Sequence, residues 1–236
     1  GDNDLLAFVV ALLASGLIAG ILALLLAWPT LRLRDDYLAI ALIGAAEVLR
    51  RVFIEEQWLA NGSRGLGGFP RPFSGLVGQE YYRYVFLAIV IALLVLVYVG
   101  VELGIRSPWG RVLRALREDE PSTAASGKNV TAFKIQGFVL GAIIIGVAGG
   151  LFGFQQGAIA PESFTHFFGT FIFWAMLIAG GSGNMLGAIV GTYVIWGLWS
   201  TSLQLQGYAL PQILEGRIPY LRDMLVGLII VVVLLI

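Results

Sequence analysis

Long apolar runs alternate with short polar links along this chain, and the alternation predicts an all-α protein of about seven membrane-spanning helices. Leu5–Trp28 is a first run of 24 residues, enough to cross a hydrocarbon core of ~30 Å. Gly16 and Gly20 within it make a small-xxx-small pair where another helix can approach. Further spans are expected at Tyr81–Ile105, Val130–Phe154, Phe164–Ala179, Met185–Leu205 and Leu221–Ile236. The fourth span carries Gly137/Gly141 and Gly149/Gly153 at four-residue spacing, and the fifth is short and aromatic. Gly183, Gly187 and Gly191 line up at the start of the sixth as a helix-packing face.

Two stretches break the apolar pattern. The second span is apolar only over Tyr37–Leu49, then continues through Arg50, Arg51, Glu55 and Glu56. A helix beginning at Tyr37 puts Glu47 about 15 Å along its axis, near mid-membrane. Glu47–Arg50, Glu47–Arg51 and Arg51–Glu55 are then neighbours on one helix face. An ionisable group at that depth marks either a functional site or a structural pair within a helix bundle.

The second exception is Arg106–Lys134, which holds six of the fifteen basic residues (Arg106, Arg111, Arg114, Arg117, Lys128, Lys134) and the acids Glu118, Asp119 and Glu120. Ser107 as cap and Pro108 in the first turn predict a short helix, with Pro121 as its stop. Trp109, Val112, Leu113 and Leu116 fall on one face, and Arg111, Arg114, Arg117 and Glu118 largely on the other. At about three turns it is too short to span a membrane. The physics leaves two readings: a helix lying at the lipid headgroups, or a docking knob for a cytoplasmic partner. Taking this dense basic loop as cytoplasmic puts Thr30–Asp36 and Gly180–Asn184 on the same side. Asn61–Gly78, Gln155–Ser163 and Leu205–Pro219 then lie on the other.

Composition narrows the class. Of 236 residues, 58% are hydrophobic and 13% charged, against roughly 25% charged in soluble domains. An integral, multi-pass membrane protein follows. A net charge of zero argues against a nucleic-acid partner. Without cysteine there is no thiol chemistry and no thiolate metal site, and no metal site is expected. The chain opens on Gly1-Asp2-Asn3-Asp4 and ends within an apolar run, so it reads as one transmembrane domain over 1–236, cut at both ends.

The candidate enzyme motifs are weak. "SGKN" (126–129) has no Ser or Thr after its Lys, so it is not a phosphate-binding loop. Gly180-Gly181-Ser182-Gly183 reads G-x-S-G, a nucleophile motif of intramembrane serine proteases. A serine nucleophile needs a nearby base. The lone His166 lies upstream, and by the expected topology near the opposite membrane face. Ser182 is read as a cap of the sixth helix and His166 as an interfacial residue. The chain is expected not to be an enzyme.

Several stretches together resemble the LivM-type permease subunit of branched-chain amino acid ABC importers. "LRLRDDYLAIALIGAAEVLR" (31–50) is similar to that family's Arg-rich turn and acid-bearing helix. "NGSRGLGGFP" (61–70) resembles its outer glycine-rich loop, with Asn61 for the first Gly. "GRVLRALREDE" (110–120) followed by Gly127 and Asn129 resembles its coupling segment, with Ser126 where Leu is usual. "APESF" (160–164) and "GGSGNMLGAIVG" (180–191) resemble later signatures.

The resemblance implies a permease half in a bacterial inner membrane. Its partners would be membrane lipid, a second homologous permease, two cytoplasmic ATPases and a periplasmic substrate-binding protein. ATP and Mg would sit on the ATPases, with no cofactor in this chain. It also turns the 106–134 segment into an ATPase-coupling site, expected at Trp109, Gly110, Arg111, Arg114, Ala115, Leu116, Arg117, Glu118 and Gly127. Glu47, Ser182, Asn184 and Thr192 are candidates, by position, for the translocation path. Urea or another small solute is the alternative cargo, and a stand-alone channel or proton-driven carrier the alternative class.

Overall fold

The computed structural model describes residues 2–31, 33, 35–69, 72, 78–164, 167–181 and 183–205, with isolated positions at 224, 227, 228 and 231. The chain divides into two compact units, residues 1–161 and 162–236. The first unit contains α1 (Asp2–Thr30), α2 (Asp35–Glu55), α3 (Gln57–Ala60), β1 (Leu66–Gly67), α4 (Gln79–Arg106), α5 (Pro108–Glu118), α6 (Glu120–Ala125), α7 (Val130–Gln156) and β2 (Ala158–Ile159). The second contains α8 (Ile172–Gly180) and α9 (Met185–Leu205).

Among the described residues, three helices are long and apolar enough to cross a membrane: Leu5–Thr30, Tyr81–Arg106 and Val130–Gln156. These match the expected first, third and fourth spans. The second expected span is a 21-residue helix, α2, whose charged second half keeps it out of that group. The fifth is described from Phe167 onward. A π-helical turn at Phe167–Phe171 precedes nine residues of α8, together about 20 Å of axis. The sixth is α9, with an apolar stretch over Met185–Thr201. The seventh, at 221–236, lies almost wholly outside the described residues, so seven spans are not established.

In the first unit α1 packs along α7. The buried positions of α1 run from Phe8 and Leu12 through Gly16 and Gly20 to Ala23, Ala27 and Thr30, a single stripe at three- and four-residue spacing. Where α1 meets α7, small residues face one another. A Cβ on Gly16 would sit 2.9 Å from the Val147 side chain, and one on Gly146 2.6 Å from the Ser15 carbonyl oxygen. Gly150 faces Leu12 and Ser15. The seam therefore uses Gly146 and Gly150 of α7, not the four-spaced pairs picked out in the sequence. Gly141 and Gly149 have open space where a Cβ would go, Gly137 faces Leu113, and Gly153 faces Ile159.

One end of this unit is closed by the glycine-rich loop. β1 pairs antiparallel with β2, Leu66 opposite Ile159 and Gly67 opposite Ala158. Gly65 enters the pair at φ +69°, and a Cβ there would collide with the Ile159 carbonyl. The Phe154 ring stacks aslant on Phe8 at 5.0 Å and edge-on to Phe69 at 6.5 Å. The loop, the α7 end and the α1 start thus share one aromatic plug.

In the second unit, α8 and α9 form a hairpin with backbone against backbone. Ile172, Ala175, Met176 and Ile195 are its buried core. Cβ atoms on Gly180 and Gly187 would each strike the other's carbonyl, and one on Gly191 would strike that of Met176. So two of the three expected packing glycines, Gly187 and Gly191, make the contact. Gly183 lies in the turn before α9 at φ +91°.

Candidate functional site

The polar 106–134 stretch folds as a two-helix elbow between the spanning helices α4 and α7. Ser107 caps α5 as expected: its Oγ accepts from the Gly110 N–H and donates to the Gly104 carbonyl at 2.6 Å. Pro108 fills the first turn, where its missing N–H costs nothing. Gly110 is buried, and a Cβ there would drive into the Gly104 and Ile105 carbonyls at the end of α4. This contact lets the chain fold sharply from α4 into α5.

The helix stops before Pro121 and not at it. Asp119 is extended (φ −154°, ψ 105°) and ends α5, and Pro121 then begins α6 instead of terminating the helix. A proline in a first turn is favourable for the same reason as at Pro108. Thr123, buried, donates from Oγ1 to the Asp119 carbonyl at 2.9 Å, and the Ser122 hydroxyl donates to the Asp119 carboxylate. The turn passes through Gly127 at φ +79°, and Asn129 caps α7 by accepting from the Ala132 N–H at 3.1 Å.

The two faces of α5 separate as the pattern predicts. Trp109, Val112, Leu113 and Leu116 are half-buried, while Arg111, Arg114, Ala115, Arg117 and Glu118 are exposed. The Trp109 indole N–H donates to Gln136 Oε1 at 2.8 Å, and Leu113 packs over Gly137. Lys134 Nζ pairs with Glu120 Oε2 at 2.6 Å. Part of the apolar face is therefore occupied by the chain's own α7. Arg111, Arg114 and Arg117 make no ion pair among the described residues. A shallow groove of about 630 Å³ runs along the outer side, lined by Arg111, Val112, Ala115, Asp119, Thr123 and Lys128 among others.

The translocation candidates are less gathered. Glu47 is half-buried on α2 and takes Arg50 in a two-point pair, Nε to Oε2 and Nη2 to Oε1, both 2.8 Å. Arg51 adds a contact at 3.1 Å to the same carboxylate, and among the described residues it pairs with Glu47 and not with Glu55. Asn184 turns out to cap α9: its Oδ1 accepts from the Leu186 and Gly187 N–H groups at 3.1 and 3.3 Å. Thr192 is exposed, its hydroxyl donating back to the Ala188 carbonyl at 2.8 Å. Ser182 and His166 lie outside the described residues, so the protease motif has no geometry to weigh. No group of three or more His, Cys, Asp or Glu that would hold a metal occurs among the described residues.

Comparison with known proteins decides the family. Residues 3–234 match the model of the branched-chain amino acid transport system / permease component family. The chain belongs to this family. It is 32% identical over 212 residues to the high-affinity branched-chain amino acid transport system permease protein LivM of Salmonella typhimurium, and equally to that of Escherichia coli. A probable branched-chain amino acid transport permease protein LivM of Methanocaldococcus jannaschii is 29% identical over 189 residues. These alignments cover 79–80% of this chain, which spans about half the length of the curated relatives it matches. No solved structure matches. This permease-family membership and the apolar spanning helices make the chain a membrane protein. Its homologues are transport subunits and not enzymes. Sequence reasoning missed Gln136, because a contact 27 residues apart leaves no periodic trace, and it missed the buried Thr123, whose bond to Asp119 belongs to a second short helix that the sequence reading did not separate from α5.

Proposed function

We propose that this chain is a translocation subunit of an ATP-driven importer for branched-chain or other neutral amino acids in a bacterial inner membrane. Its partners are a second permease, two cytoplasmic ATPases that hold the ATP and Mg, and a periplasmic binding protein. The observation that carries this reading is the elbow. A helix too short to span lies between two membrane-length helices and turns Arg111, Arg114 and Arg117 outward without ion-pair partners among the described residues. Such a strip suits acidic side chains on a cytoplasmic protein and gives a short rigid body through which movement can pass. A self-contained channel or carrier has no use for it. Branched-chain amino acids are favoured over urea by what the relatives' names say of those proteins.

Proteoliposomes holding the complete complex provide the test. Uptake of labelled leucine should require ATP and persist when ion gradients are collapsed. Uptake sustained by a proton gradient with ATP withdrawn would return the chain to the carrier class.

A further inference from the structure

Resting on the docking reading above, we propose that Trp109–Gln136 and Glu120–Lys134 are paired latches that fasten the elbow to α7, so that movement of the docked segment becomes movement of α7. The four side chains are positioning residues in transport and touch neither cargo nor ATP.

The geometry is specific. The latches lie at opposite ends of α5: Trp109 is its second residue, and Glu120 stands just past its last, Glu118. Both reach the first two turns of α7, at Lys134 and Gln136. Two separated points resist rotation as well as lift, which one contact cannot do. Leu113 over Gly137 fills the space between them with apolar contact. Beyond the latches, α7 continues as one helix to Gln156 and carries the glycine seam with α1. Interlocked backbones of that kind move together or not at all. The outward arginines are free to hold a partner while the inward groups hold α7, so docking and transmission fall on different residues.

The division of labour is testable in the full complex. Trp109→Phe removes the indole donor and keeps the ring, and Glu120→Gln removes the charge at nearly constant shape. In the double variant the ATPases should co-purify as with wild type. Substrate moved per ATP hydrolysed should fall about tenfold, the change in latch population that losing one neutral and one exposed charged contact can make. The charge swap E120K/K134E should recover most of the loss due to E120Q alone.

The sequence contains no cysteine, so E120C/K134C bridged by a short bifunctional thiol reagent gives a second measurement. A permanently closed latch should leave transport per ATP at the wild-type value. An unchanged ratio in W109F/E120Q, or a bridged latch that stops transport, overturns the proposal. A parallel fall in transport and hydrolysis, leaving the ratio intact, overturns it too and marks a merely structural role. If no ATPase co-purifies with the wild-type chain, the docking reading itself fails and this inference with it.

Discussion

The α1–α7 seam and the α5–α6 elbow are held in opposite ways. Along the seam, helices approach through glycines, with hardly a polar side chain involved. In the elbow, position is set by caps, one indole–amide hydrogen bond and one ion pair. Lipid offers no hydrophobic reward for bringing two apolar helices together, so close backbone packing has to supply it. The elbow, outside the apolar layer, can use directional polar bonds that water weakens. The contrast suggests that spanning pairs act as fixed units and that adjustable connections lie in the polar segment.

The hardest test of the fixed units is Gly187→Val in the α8–α9 hairpin. Its Cβ meets the Gly180 carbonyl, and overpacking against backbone should cost at least ~3 kcal/mol. Monodisperse protein extracted in detergent should be nearly lost, whereas Gly197→Ala, which faces open space, should be silent. The seam makes a finer distinction. Gly146→Val should lower the detergent melting temperature by the equivalent of ~2 kcal/mol. Gly149→Ala, three residues along, should be neutral or stabilising by ~0.5 kcal/mol because α7 gains a better helix former. Equal effects at 146 and 149 would mean that the seam has another register.

Gly110→Ala comes next. It should cost ~1–2 kcal/mol by pushing α5 off the end of α4, and a protease should then cut within residues 106–134 sooner than in wild type. The mildest of the destabilising changes is Glu47→Gln. Its two-point pair with Arg50 is partly exposed, so a loss of ~1 kcal/mol is expected, with uptake selectivity among leucine, isoleucine and valine unchanged. Altered selectivity at normal expression would place Glu47 in the solute path.

Much of this was legible in the sequence, and the failures have physical causes. The three long spans, the Ser107 cap and the two faces of α5 follow from run length, cap chemistry and helical period. The α7 register did not, because a helix apolar on every side has no polar face to reveal which side packs. Only the size of its residues carries that information, and α7 has six glycines to choose from (137, 141, 146, 149, 150 and 153). Pro121 was misread because proline stops one helix and starts another with equal ease, and only the extended Asp119 before it tells which. Asn184 was named for the path by position, and its cap on α9 went unread although its residue type just ahead of Met185 pointed to one. The latches were out of reach, since neither Gln136 nor Lys134 differs in sequence from an ordinary polar residue at a helix start.

The outward arginine strip of α5 is proposed as the place where the ATPases dock. The most direct measurement is co-purification from detergent with R111E/R114E/R117E against wild type, reading the ATPase subunits and the second permease together. Loss of the ATPases with the second permease still bound is the expected result. ATPases retained at wild-type levels on the charge-reversed chain would contradict it.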